Sequence, residues 1–231
     1  MEVNDYKKYL DVSGNIKGGD FYIGSILFNE RYRKNFFIEF HKNFPNLKSY
    51  EAKGATLKKP VLKEVISFLN DKKIPMTCLY FSKQKMDDAE ALVKCKIKTL
   101  TCKDQFPSSF NEKIAGVLYY YNLKYFAKQN YIYQGHVCME SQVNIKKVLS
   151  ELFNISKRDN YLFRLVPTLR DYEHLLKIAD YVASAGRKIE WTFLDELKYF
   201  KMIAPDITDF DINHAFRLHK LRDEMKKKED F

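Results

Sequence analysis

Four acidic residues lie far apart in this chain, each beside or inside a segment apolar enough to be buried. Asp11 sits in Lys8-Tyr9-Leu10-Asp11-Val12-Ser13-Gly14, and Glu51 opens Glu51-Ala52-Lys53-Gly54. Glu140 ends the apolar run Val137-Cys138-Met139, and Asp180 lies in Ile178-Ala179-Asp180-Tyr181-Val182-Ala183. A buried carboxylate is costly unless it is paired, hydrogen-bonded or metal-bound. Four such residues point to one site assembled by the fold. Carboxylate oxygens are the ligands that Mg²⁺ and Mn²⁺ prefer. Two such ions about 4 Å apart can activate a water and stabilise the leaving oxygen of a phosphodiester. Each acid also has a plainer role open to it. Asp11 can cap the turn that follows it, and Asp180 can pair with Lys177 or Arg187. Glu51 can be an exposed loop acid, and Glu140 can open a helix.

Other chemistries find less support. Ser13 has no Gly-X-Ser-X-Gly elbow around it and no His partner nearby in sequence, which argues against a serine hydrolase. His136 falls on the same side of its strand as Glu140 by alternation, where it can join a site or serve as a structural residue. No Walker-type or dinucleotide-binding glycine pattern occurs. Lys53, beside Glu51, can contact a phosphate or stabilise a developing charge; the alternative is a solvated surface lysine. The four cysteines, Cys78, Cys95, Cys102 and Cys138, form no Cys-X-X-Cys pair. That pattern predicts a reducing compartment, the cytoplasm, with neither disulfides nor structural zinc.

The chain has 231 residues, 45% hydrophobic and 30% charged, the composition of a soluble globular protein. No apolar run approaches the ~18 residues of a membrane span, and Met1 to Lys8 lacks the apolar core of a secretion signal. The net charge of +10 favours anionic partners, nucleic acid first, with a lysine-rich solvated surface as the alternative. The sixteen tyrosines fall mostly in amphipathic stripes, so their number alone implies no base stacking.

The elements that must position these residues follow from periodicity. Tyr9 to Val12 reads as a short strand, Gly14 to Asp20 as a turn, and Phe21 to Phe28 as a strand covered on both faces, together an opening hairpin. Arg31 to Phe44 reads as a helix with Tyr32, Phe36, Phe37, Phe40 and Phe44 inward, ended by Pro45. Pro60 starts a second helix with Val61, Leu62, Val65, Ile66 and Leu69 inward. Met76 to Phe81 is a strand, Asp87 to Lys96 a short helix, and Asn111 the cap of a helix reaching about Lys128. Tyr131 to Met139 and Tyr161 to Val166 are strands. Asn144 and Asp171 cap helices that run to Phe153 and Arg187. Glu190 to Phe231 reads as two helical pieces split by Pro205. The pattern predicts a mixed α/β sheet with helices on both faces.

Several of these residues also resemble a known family. Tyr9-Leu10-Asp11-Val12-Ser13-Gly14 and the apolar strand after it resemble the opening of the prokaryotic domain of unknown function 3800 family, a strand ending Asp-Glu-Ser-Gly before a second apolar strand. Glu51-Ala52-Lys53 matches that family's Glu-X-Lys, and Glu140 its acid after a central strand. Lys177-Ile178-Ala179-Asp180, followed by Ala183, Ser184, Ala185 and Gly186, matches its late Gln-X-Ala-Asp helix. The resemblance spans about residues 7 to 188. It implies a ribonuclease-H-like domain over 1–188 with a helical extension over 189–231. It also implies Asp11, Glu51, Glu140 and Asp180 as ligands of two Mg²⁺ or Mn²⁺ ions, and a role in mobile-element or defence biology. The chain departs from the family at Val12, where the family has Glu, and at Lys177, where it has Gln. Lys177 shares a helical face with Asp180 and can pair with it or bind a scissile phosphate. The expected function is metal-dependent cleavage of nucleic acid. The alternatives are a non-catalytic nucleic-acid- or protein-binding member with a degraded metal site, and a small-molecule phosphoesterase.

Overall fold

The computed structural model describes residues 6–14, 19–47, 53–89, 91, 110–130, 134–139, 162–165 and 173–206. The expected hairpin opens the chain. Strand β1, Tyr6–Gly14, pairs antiparallel with β2, Phe21–Asn29. Gly14 ends β1 at φ +106°, and a Cβ there would lie 2.2 Å from the Asp20 carbonyl oxygen, so only glycine makes this exit. Every residue of β2 from Phe21 to Phe28 is buried, as a strand covered on both faces must be.

Strand β3, Met76–Phe81, adds antiparallel to β2. Beyond β1 on the other side, β4, Gln134–Met139, and β5, Leu162–Leu165, add in parallel. A sixth strand, β6, Phe200–Ile203, runs parallel to β3 at the far edge. The order is β5-β4-β1-β2-β3-β6, so β1 and β2 are the two middle strands.

β6 corrects the expectation of helix after Glu190. There the chain forms one short helix, α5 (Trp191–Asp195), and then a strand. An open β3 edge presents unpaired backbone groups that a further strand satisfies, and that pairing overrides local helical preference. The Met76 N–H donates to the Tyr199 carbonyl at 2.7 Å, and Phe200 is fully buried. Residues 200–203, within the expected extension, are therefore a strand of the same sheet.

Helices cover both faces. On one lie α1 (Arg33–Asn43), α2 (Lys59–Asp71), α4 (Glu173–Lys188) and α5, around a core that includes Tyr9, Phe36, Phe40, Leu62, Ile66, Leu176 and Val182. Tyr32 was expected in the α1 stripe but is exposed. It lies in the 3₁₀ turn Glu30–Tyr32 before the helix, out of phase with Phe36 and Phe40. On the opposite face, α3 (Phe110–Asn130) and a short helix over residues 83–89 enclose Leu10, Ile23, Leu79, Leu118 and Leu123. α3 starts at Phe110, so Asn111 lies inside it rather than capping it. The helix at 83–89 starts ahead of the expected Asp87, because the Ser82 hydroxyl accepts the Lys85 N–H at 3.1 Å and caps it. The expected helices at Asn144 to Phe153 and beyond Pro205 lie outside the described residues.

A closed polar network fixes α3 to the sheet. The Asn122 side chain donates to the Ile23 carbonyl at 3.1 Å, and its oxygen accepts from the Ser25 hydroxyl at 2.7 Å and the Thr77 hydroxyl at 3.2 Å. Ser25 and Thr77 also touch each other. All three side chains are buried, and each finds a partner, as burial requires. No helix among the described residues is long and apolar enough to cross a membrane.

Candidate functional site

Strand alternation sorts the β1 side chains. Tyr9, Asp11 and Ser13 face the α4 layer, whereas Lys8, Leu10 and Val12 face the α3 layer. Asp11 is half-buried, stands opposite Gly24 of β2, and accepts the Val12 N–H on Oδ1 at 2.7 Å. Val12 packs against the opposite core. A longer acidic side chain at position 12 would therefore project away from Asp11, and the family's glutamate there would add nothing to the α4 face.

α4 lies close on the sheet because small residues meet small residues. A Cβ on Gly24 would come within 2.3 Å of both the Ala179 carbonyl oxygen and the Ala183 nitrogen. One on Gly186 would come within 2.3 Å of the Cys78 sulfur. The stripe Ala179, Ala183, Gly186 thus lets the helix backbone rest on β2 and β3. This close seating brings Asp180 and Ser184, one turn apart, to the end of β1. The Ser184 hydroxyl is 3.4 Å from that of Ser13 and donates to Asp180 Oδ1 at 3.3 Å.

The segment after Glu51 closes on the same place. The Gly54 N–H donates to Asp180 Oδ2 at 2.7 Å across 126 positions of sequence. Gly54 has no room for a side chain, since a Cβ would meet the Ser184 hydroxyl oxygen at 2.6 Å. Lys188, at the end of α4, donates to the carbonyls of Ala55 at 2.6 Å and Leu57 at 2.8 Å. A cation at a helix C-terminus that also binds loop carbonyls holds loop and helix together.

Asp180 is held by a backbone N–H and a hydroxyl, not by the salt bridge with Lys177 or Arg187 that its position allowed. Burial raises its pKa above the usual carboxylate value. The Gly54 and Ser184 hydrogen bonds, and then the charges of Lys53 and Lys177, oppose that rise. Of the two lysines, Lys53 has the larger effect on Asp180. A buried carboxylate with a raised pKa favours a proton or a cation.

Of the four expected acids, the structure puts Asp11 and Asp180 on the same side of the sheet. Glu51 and Glu140 lie outside the described residues. Lys53 is exposed, one residue before Gly54, and Lys177 is half-buried on α4. His136 is half-buried on β4, opposite Lys7 of β1. Among the described residues, no group of three or more His, Cys, Asp or Glu side chains gathers closely enough to hold a metal ion. Asp11 and Asp180 are the two of the four expected ligands that lie among the described residues. Sequence reasoning missed Gly54, Ser184 and Lys188. The available signals were a glycine after Lys53, a hydroxyl one turn after Asp180, and a cation in the last turn of the helix.

Cys78 and Cys138 are buried free thiols, as their strand positions implied, and burial pushes the Cys78 thiol well above its ordinary value. Such a thiol is inert. Comparison with family models, with curated proteins and with solved structures finds no match for this chain.

Proposed function

We propose that this protein is a divalent-metal-dependent nuclease of ribonuclease-H-like architecture. Asp11, Asp180, Glu51 and Glu140 would hold Mg²⁺ or Mn²⁺, and Lys53 and Lys177 would face the substrate phosphates. The single observation that carries the reading is the seating of Asp180. A half-buried carboxylate is gripped by Gly54 N–H, three residues after Glu51, on the sheet face that also bears Asp11. The strand order also favours it. An antiparallel β1-β2-β3 meander, extended in parallel by β4 and β5 beyond β1, puts the Asp11 strand at the centre, directly beside the strand that leads into Glu140.

When bound, the metal pair would supply an activated water and stabilisation of the leaving oxygen. The chain's own residues have distinct tasks. Asp11 presents its carboxylate from a rigid central strand. Gly54 and Ser184 orient Asp180, each donating to one of its carboxylate oxygens. Lys53 and the net charge of +10 draw in a polyanion. One observation favours the second reading, a binding protein with a degraded metal site: Lys177 places a positive charge close enough to act on Asp180. Val12 does not favour it, because its side chain belongs to the other face.

The test is Mn²⁺ titration calorimetry with a nuclease screen on wild type and Asp11→Asn. The substitution keeps shape but removes the charge that a hard cation needs. The expected result is metal binding and cleavage in the wild type, with cleavage reduced at least about a hundredfold in the variant. Metal binding without cleavage would favour the second reading, and equal cleavage by both proteins would remove Asp11 from the mechanism.

A further inference from the structure

From the candidate carboxylate site an aromatic row runs across the same face of the sheet to the surface. Ser13 of β1 stands opposite Tyr22 of β2, and Tyr22 stands opposite Tyr80 of β3. The two tyrosine rings lie 4.9 Å apart, tilted by 31°. Trp191, the first residue of α5, sets its ring against Tyr80 at 5.4 Å and 74°. The row starts at Ser13, whose hydroxyl neighbours Ser184 beside Asp180. It ends at Trp191, which is 39% exposed and is the only tryptophan in the chain.

The outermost ring is held in place. The Trp191 indole N–H donates to the Gly186 carbonyl at 3.2 Å. The Asp20 carboxylate, which accepts the Lys83 N–H at 3.0 Å, lies near enough for its charge to help raise the Tyr80 pKa, after burial. Arg187, exposed, follows Gly186, the residue whose carbonyl anchors the Trp191 indole. Core packing accounts for Tyr22. It does not account for a large ring left at the surface with its indole N–H anchored beside Arg187 in sequence, at Gly186. A ring held in this way stacks bases at little entropic cost, and arginine adds phosphate and cation–π contacts.

We infer that Tyr80, Trp191 and Arg187 form a shelf that takes an unpaired nucleobase and its phosphate, so that the nucleic acid reaching the carboxylates is single-stranded at this point. The inference rests on the nuclease reading and names the form of its substrate. A duplex covers both faces of each base with its neighbours, whereas an unpaired strand leaves a face open for the shelf. The positive charge of the chain fits a polyanionic occupant.

The lone tryptophan makes the shelf directly observable. In EDTA, without metal and hence without cleavage, a short oligothymidylate is titrated into the wild type while tryptophan emission and the anisotropy of a labelled oligonucleotide are followed together. The expected result is saturable quenching that tracks the anisotropy and weakens with salt, with no quenching by a blunt duplex at the same concentration. Trp191→Leu is expected to bind the oligonucleotide roughly tenfold to a hundredfold more weakly. Binding with unchanged emission, equal quenching by the duplex, or no binding at all would overturn the inference. Because no cleavage is read, failure here is separate from failure of the nuclease reading, which shows as an intact substrate in Mn²⁺.

Discussion

The two faces of the central sheet bury polar groups in opposite ways. Under α3, Asn122, Ser25, Thr77 and the Ile23 carbonyl satisfy one another in a closed set. Under α4, Asp180 receives one backbone N–H and one long hydroxyl contact, and burial still raises its pKa. An ionised carboxylate offers about four acceptor positions, so this acid keeps capacity that the described residues do not fill. The first arrangement is a fastening. The second leaves acceptor positions open. Burial alone does not distinguish scaffold from site, but the balance of donors and acceptors does.

The sharpest way to break this comparison is to open the closed network. Asn122→Ala removes the side-chain donor to the Ile23 carbonyl and leaves Ser25 and Thr77 only each other, so that one hydroxyl proton loses its acceptor; an unmet buried group costs about 1–3 kcal/mol. Urea unfolding should show a loss of about 3 kcal/mol, with Mn²⁺ affinity unchanged in the folded protein. A loss under about 1 kcal/mol would mean that the network does not fasten α3.

Lys8 tests the same face through pH. It is buried beside Leu27 and Val137, and burial lowers its pKa from 10.5 to about 7. Between these values the unfolded chain holds a proton that the folded protein has released. Stability should therefore rise with pH from about 7 to 10.5, by up to about 1.4 kcal/mol per pH unit. Below pH 7 both states are protonated and the dependence disappears. Lys8→Met should flatten the profile of melting temperature against pH; an unchanged slope would show that the lysine does not titrate in this range.

Asp180 carries the opposite sign to a salt-bridged acid. Its folded pKa lies above 3.8, so the folded protein holds the proton more tightly and stability declines as pH rises through that window. At neutral pH and without metal, Asp180→Asn should therefore leave stability unchanged or raise it by about 1 kcal/mol or less. Mn²⁺ should raise the melting temperature of the wild type and not that of the variant. Equal Mn²⁺ stabilisation of both would remove Asp180 from metal binding.

The smallest effect concerns Lys177, the cation that separates α4 from the motif it resembles. If Lys177 repels metal at Asp180, Lys177→Gln should tighten Mn²⁺ binding by roughly twofold to fivefold, the scale of one partly screened charge. If it grips phosphate instead, Mn²⁺ affinity should hold while nucleic-acid binding weakens and its salt dependence becomes shallower. No change in either would make it a solvated surface residue.

Period-two alternation around Asp11, followed by a glycine-rich turn, was enough to place Asp11 on a strand paired antiparallel with Phe21–Asn29. Alternation also dictates that Val12 turns its back on Asp11, and the packing of Val12 agrees. The apolar repeat of α2 and the Pro60 start were equally local, and the helix at Lys59–Asp71 follows them. The small residues Ala183, Ser184, Ala185 and Gly186 after Asp180 permit a close approach to the sheet without fixing where. That depended on Gly24, more than 150 residues away, and on a register that no local pattern records.

What sequence determined by itself was therefore the periodic part: which segments are strands or helices, which face each side chain takes, and which acids stand beside buried runs. Those properties depend on neighbours within a few residues. The tertiary structure alone decided that Gly54 N–H meets Asp180, that Lys188 ties down the loop, and that Phe200–Ile203 becomes an edge strand instead of a helix. Each of these is a non-local pairing. A backbone donor, a carbonyl or an open sheet edge takes whichever partner the packed chain delivers, and local preference yields to the larger free energy of satisfying a buried polar group.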